Sequence, residues 1–219
     1  MLSEIFYRVC LGCSLPTEDG SPICSDCLES QETYPYACES CGYPSSVSAK
    51  VCGKCTSKKH RDKIFIAYKY RGAIKSLIRD LKFNFRITGH NAVNKIISTE
   101  MIGQYDLITD VPSHFTRRFR RFSHPATVIA KYIAINTKSE YKKVLKRSKR
   151  TEYQFKLRKS QRISNVFGAF SLCADVRGLK ILLVDDIITT GSTIEECSRV
   201  LKKSGASKVD VFAMTGGRS

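Results

Sequence analysis

The run Lys180-Ile-Leu-Leu-Val-Asp-Asp-Ile-Ile-Thr-Thr-Gly-Ser-Thr193 constrains the fold more than any other part of the chain. Its four apolar residues, Ile181 to Val184, suit a buried strand and are too few for a helix. Two adjacent carboxylates follow, Asp185 and Asp186, then the small residues Thr189, Thr190, Gly191, Ser192 and Thr193. Beyond them Ile194, Cys197, Val200 and Leu201 share one face of a helical repeat. Strand, acidic pair, small-residue turn and helix make the carboxyl edge of a parallel α/β sheet, where such folds bind ligands. A turn entering a helix presents free N–H groups and the positive end of the helix dipole, which suits a phosphate. The carboxylates beside it suit sugar hydroxyls, which donate to charged acceptors. Together they describe a site for a ribose 5-phosphate.

This run resembles the 5-phosphoribosyl 1-diphosphate (PRPP) motif of type I phosphoribosyltransferases: apolar strand, acidic pair, two apolar residues, then a Thr/Ser-Thr-Gly-x-Thr/Ser turn. The loop lacks the Gly-Lys-Ser/Thr of a Walker A site. A receiver domain carries its acidic pair near the first strand, whereas here little chain remains after Asp186. Helix capping alone explains one of the hydroxyl residues and leaves the paired carboxylates without a reason.

Eight of the ten cysteines form four Cys-x-x-Cys pairs, Cys10/Cys13, Cys24/Cys27, Cys38/Cys41 and Cys52/Cys55, whose first members recur every 14 residues. Two thiolates on one tight turn can grip a Zn²⁺ ion, and a second turn completes a tetrahedral site. Residues 1–60 hold few apolar side chains, so metal is expected to supply their folding energy. A redox role needs one such pair in a βαβ unit and does not fit four in a polar segment. Two structural zinc ions are expected. Consecutive pairing gives two ribbons in series and alternating pairing a cross-brace; the series closes more locally. Cys197 lies on an apolar helical face and reads as core.

The net charge of +17 is concentrated. Residues 117–162 carry 16 Lys/Arg against Glu140 and Glu152, a net +14. One PRPP occupies about two to four basic groups, so the surplus points to nucleic acid, whose backbone attracts such patches. Arg117, Arg118, Arg120, Arg121, Lys149, Arg150, Arg158 and Arg162 are the candidate contacts. Phe115, Phe119, Phe122, Tyr132, Tyr141, Tyr153 and Phe155 are interleaved and offer stacking faces, although such residues are more often core. No apolar run approaches the ~20 residues of a membrane span, and Met1–Cys10 lacks the order of a signal peptide. The expectation is a cytoplasmic protein that is not an integral membrane protein.

Elsewhere strands and helices alternate. Ile64–Tyr70 reads as a strand, the segment from Ile74 to Phe83 as a helix, and His90–Ile102 as another helix. Asp106–Val111 reads as a strand closed by Pro112-Ser113, Val128–Ile135 as a helix, Lys143–Lys146 and Lys208–Met214 as strands, and Arg147–Asn165 as a mobile loop. The expected architecture is α/β: an open parallel sheet flanked by helices over residues 61–219, preceded by a small double zinc ribbon over 1–60.

Tyr68-x-Tyr70-x-Gly72, Leu81-Lys82-Phe83, Val111-Pro112-Ser113, Arg117-Arg118, Arg121-Phe122 and Arg150-Thr151-x-x-Gln154-x-x-Leu157, with Arg162, Asn165 and Phe170, together resemble the ComF family, whose domain follows a double zinc ribbon. One departure is Arg120-Arg121-Phe122-Ser123-His124, where that family often has Arg-Gly-Phe-Asn-Gln. The resemblance implies a type I phosphoribosyltransferase-like domain acting in DNA uptake during natural transformation, on single-stranded DNA at the inner face of the cytoplasmic membrane and beside a helicase-like partner. It further implies PRPP with its 5-phosphate on Thr189–Thr193, its diol on the catalytic pair Asp185 and Asp186, and Mg²⁺ bridging diol and diphosphate. The diphosphate would lie against Pro112-Ser113, with Arg117, Arg118 and Lys82 neutralising it, and the basic loop would close as a lid. Two other functions fit the sequence: a non-catalytic factor that binds single-stranded DNA and a helicase with PRPP as ligand only, and a nucleobase-salvage enzyme.

Overall fold

The computed structural model describes residues 9–17, 20–53, 55, 60–83, 93, 96–99, 102–113, 124–148 and 166–216. Its centre is a five-stranded, wholly parallel sheet. The strands are β3 (Ile64–Lys69), β4 (Leu107–Asp110), β5 (Glu140–Tyr141), β8 (Lys180–Ile188) and β9 (Lys208–Gly216), in the order β3-β9-β8-β4-β5. Parallel sheets are covered on both faces, which explains the unbroken apolar runs of β8 and β9. Helices α2 (Gly72–Phe83) and α3 (Pro125–Thr137) cover one face, where Leu77, Ile78, Ile129, Ile133, Leu182, Val184 and Met214 are fully buried. Helix α4 (Ser192–Lys203) and the antiparallel pair β6 (Leu145–Arg147) and β7 (Phe170–Leu172) cover the other, over Ile181, Leu183, Val209 and Val211.

Several bounds differ from the sequence reading. Strand β8 does not stop at Val184; it stays paired with β9 through Asp185↔Ala213 to Ile188↔Gly216, so the acidic pair is part of the strand. Helix α3 begins at Pro125, whose fixed φ suits the first helical position, and ends at Lys138 with φ 53°. The strand expected at Lys143–Lys146 overlaps only β6, which pairs with β7, while β5, earlier in the chain, joins the main sheet. Of the helix expected at His90–Ile102 only part is described; Val93 is helical, and Ile96, Ile97 and Ile102 are buried.

The cysteine-rich segment contains α1 (Ser25–Glu29) and the short ladder of β1 (Tyr36–Ala37) with β2 (Pro44–Ser45). It lies against α2 and the free edge of β3. Cys10 and Ile23 join the core around α2. The amides of Ile64 and Lys69 donate to the carbonyls of Cys41 (3.0 Å) and Glu32 (2.8 Å), so an edge that would otherwise offer unpaired groups is closed at both ends. Lys69 and Arg71 add ion pairs to Glu32, and the Tyr34 hydroxyl donates to the Gly216 carbonyl. The approach is close enough that a Cβ at Gly42, where φ is +68°, would overlap the Ile64 carbonyl oxygen. No helix among the described residues is long and apolar enough to cross a membrane.

Candidate active site and cysteine tetrads

Consecutive residues of a strand point to opposite faces, so the two carboxylates at the end of β8 have different surroundings. Asp186 forms an ion pair with Lys82 in the last turn of α2, both side chains being almost buried. Asp185 lies on the α4 side, near Cys197, whose pKa burial and then the Asp185 carboxylate push well above its usual range. Burial, and next the Asp186 charge, push the Asp185 carboxyl well above its usual range. Burial acts on Asp186 in the same sense, but the Lys82 cation outweighs it and lowers that pKa. The same strand end thus holds two adjacent carboxyls whose pKa values are pushed in opposite directions.

The sign of each shift gives a pH prediction. Asp186, lowered, contributes stability that is present above the unfolded pKa of ~3.9 and lost as pH falls through its folded value. Asp185, raised, does the reverse: stability falls as pH rises above ~3.9 towards its folded pKa. Asp185→Asn mimics the protonated form. It should raise the melting temperature of the ligand-free protein near pH 7 by about 2–4 °C, with the gain shrinking as pH falls. A melting series from pH 5 to 8 on both proteins checks this, and an unchanged or lower melting temperature at pH 7 contradicts it.

After β8 the chain turns through Thr189 and Thr190 to Gly191, which caps α4 at φ +79°, a conformation side-chain-bearing residues rarely adopt. The Thr190 and Ser192 hydroxyls lie 3.1 Å apart, and no side chain caps the helix. These N–H groups and hydroxyls can surround an anion. Glu195 in the first turn would oppose that anion, but its charge is already engaged. The His60 amide and Nδ1 approach its Oε1 at 2.6 and 3.1 Å, and Arg61 Nη1 lies 2.6 Å from its Oε2. Glu196, next to it, accepts from the Gly168 amide and from Arg199.

The neighbouring strand end supplies a third carboxylate that the sequence reading missed. Asp110, the last residue of β4, is 5% exposed. It accepts the Tyr141 hydroxyl at 2.8 Å and the Thr127 hydroxyl at 2.7 Å, and His124 Nδ1 lies 3.9 Å away. Pro112 and Ser113 follow at the same sheet edge, where the Val111 amide donates to the Val184 carbonyl. The structure thus brings together Lys82, Asp185, Asp186, Thr189–Thr193, Pro112 and Ser113. The basic candidates Arg117, Arg118, Arg120, Arg121, Lys149, Arg150, Arg158 and Arg162 lie outside the described residues, as do Phe115, Phe119, Phe122, Tyr153 and Phe155 and most of the loop Arg147–Asn165. Tyr132 is buried in the core, and Tyr141 is committed to Asp110.

The eight N-terminal cysteines gather as Cys10, Cys13, Cys24, Cys27 and Cys38, Cys41, Cys52, Cys55, the serial grouping, with the four Sγ atoms of each set within 4.8 Å of one another. Separations of 3.6–3.8 Å recur between them. A tetrahedron with Zn–S bonds of ~2.3 Å has edges of ~3.8 Å. Backbone amides of Gly12 and Cys24 donate to Cys10 Sγ at 3.3 Å, and that of Cys52 to Cys38 Sγ at 3.3 Å. Burial raises the Cys10 pKa, but backbone N–H groups outweigh it and bring it to about 6; the Cys41 amide leads a similar fall at Cys38, also to about 6. Burial pushes Cys27 and Cys41 up to about 12. Four thiols this close ionise together only around a cation, and both tetrads fit a metal ion.

The pattern of the phosphoribosyl transferase domain family matches residues 95–218, more than half of the chain. Over nearly its whole length the chain is similar to two curated bacterial proteins. It is 28% identical to the DNA utilization protein YhgH of Escherichia coli K12, over 94% of this chain and 96% of that one. It is 27% identical to Competence protein F of Haemophilus influenzae Rd, over 88% and 89%. A 42-residue stretch is 55% identical to the ribose-phosphate pyrophosphokinase of Thermoplasma volcanium, covering 19% of this chain and 15% of that enzyme. The ComF resemblance read from the sequence agrees with these relatives.

Proposed function

Because the chain belongs to the phosphoribosyl transferase domain family, we propose that it binds PRPP at the carboxyl edge of its sheet and transfers or senses the phosphoribosyl group while handling single-stranded DNA in natural transformation. The observation that carries the reading is the placement of Asp185 and Asp186 at the end of β8, immediately before the Gly191 turn and the uncapped start of α4. The 5-phosphate takes the N–H groups and hydroxyls of Thr189–Thr193. The ribose hydroxyls donate to Asp186, whose charge Lys82 favours, and to Asp185 beside it. A Mg²⁺ ion accompanying the ligand would be held near Asp185 and Asp186 and would supply charge neutralisation for the leaving diphosphate. Lys82 stays on Asp186 and keeps that carboxylate oriented.

The names of the relatives support a role in DNA utilization and competence. The +14 of residues 117–162 supports a polyanionic partner, and the tetrads are read as structural zinc sites. A helicase-like partner and a cytoplasmic location belong to the same reading. Calorimetry with Mg²⁺ and PRPP, followed by assay of diphosphate release with and without a single-stranded oligonucleotide, tests it. Binding with release is the expected result for an enzyme. Binding without release favours a PRPP-tuned DNA factor, release with a free nucleobase favours salvage, and absence of binding overturns the reading.

A further inference from the structure

Phe167 presents an aromatic ring for which the sheet-edge site has no use. It is 67% exposed. A single exposed apolar side chain is ordinary, but this one is held in place. Val166 packs into the core beneath α4, and the Gly168 amide donates at 2.7 Å to Oε1 of buried Glu196, so the turn is fixed on both sides of the ring. Glu196 also grips Arg199 through both carboxylate oxygens, at 2.6 and 2.7 Å. The Arg199 guanidinium in turn lies over the Phe167 ring, 4.8 Å from its centroid. The ring is thus backed by a cation that is itself fixed, and most of the remainder meets solvent.

A strongly basic stretch is tethered at the same place. The Ser148 amide donates to the Ala169 carbonyl at 2.9 Å, and Arg147 pairs with Phe170, so residues 149–165 start and finish beside the Phe167 turn. By sequence they carry Lys149, Arg150, Lys156, Arg158, Lys159 and Arg162 against Glu152, a net +5. A nucleic-acid strand supplies phosphates for such cations and flat bases for the ring. Only an unpaired strand leaves its base faces open, since in a duplex they stack on one another. Resting on the nucleic-acid part of the reading above, we propose that Phe167 is a stacking platform for a base of single-stranded DNA, with Glu196 and Arg199 as its positioning residues. A ring already immobilised loses little freedom when a base settles on it. The contact is indifferent to sequence, because every base has a π face.

The test follows a labelled oligo-dT by fluorescence anisotropy with the full-length protein over a series of salt concentrations, for wild type, Phe167→Ala and Phe167→Trp. Phe167→Ala is expected to weaken binding roughly ten-fold. It should leave the slope of log affinity against log salt unchanged, because the ring carries no charge. The chain contains no Trp, so Phe167→Trp places a single indole on the platform. That variant should keep its affinity, and unlabelled oligo-dT should quench its emission far more than a duplex does. Unchanged affinity in Phe167→Ala overturns the platform alone when wild type binds. A changed salt slope also overturns it, by showing that the substitution acts through the basic stretch. Equal quenching by duplex overturns it too, and equal quenching by a free nucleobase would assign the ring to a small-molecule pocket instead. Should Phe167→Ala fail to fold, the quenching of Phe167→Trp decides on its own. A wild type that does not bind oligo-dT overturns the nucleic-acid reading and the platform with it.

Discussion

Asp185→Asn combined with Asp186→Asn is expected to weaken PRPP binding by roughly 100-fold or more while the protein stays folded. The magnitude follows from losing two charged acceptors for the ribose hydroxyls, each worth ~1.5–3 kcal/mol. Folding survives because the two changes oppose one another. Asn at 185 removes a buried carboxyl that resists ionisation. Asn at 186 takes the partner from Lys82 and costs stability. Calorimetry alongside a melting curve checks both halves. Unchanged affinity would remove the ribose from this edge of the sheet, and an unfolded double variant would show that the pair serves structure first.

Removing metal should have the largest effect on stability. Structural zinc contributes about 10–16 kcal/mol to the folding of small cysteine-rich units, and residues 9–55 contain little other core. Chelation, or Cys10→Ser with Cys38→Ser, is expected to melt this segment and to strip its cover from β3. Hydrogen exchange gives the sharpest reading. The amides of Ile64 and Lys69, bonded to Cys41 and Glu32, should lose protection. Those of β8, two strands further in, should exchange more slowly. Protection at Ile64 that persists after chelation would mean that the segment holds its shape without metal.

Local chemistry made much of this legible in advance. The β8–α4 unit is written in consecutive residues: an apolar strand, an acidic pair and a turn that needs Gly at φ +79°. The tetrads are similarly local, each closed within one serial group of cysteines. Pairings across long separations were not legible. Nothing near Lys82 in sequence announces its bond to Asp186, and nothing near Glu195 announces His60 and Arg61. Asp110 was hidden for a different reason. An acidic residue just before Val111-Pro112 looks like the polar end of a strand, and only the fold brings Thr127, Tyr141 and His124 to it. Strand β8 outran its expected end because pairing with β9 continues past the last aliphatic residue.

The cover on β3 also bears on how the chain is made. Strand β3 is made well before β9, the strand it pairs with in the sheet among the described residues. At ~5–20 residues per second, the ribosome takes roughly 7–28 s to travel from Lys69 to Lys208. Throughout that interval β3 would be an exposed, sticky ribbon with neither side paired. The cysteine-rich segment is made before β3 and, if metal supplies its folding energy, can occupy one side of the strand while the other waits. Metal supply during translation would then govern how much chain reaches the native state and how much aggregates, independently of anything the finished protein binds.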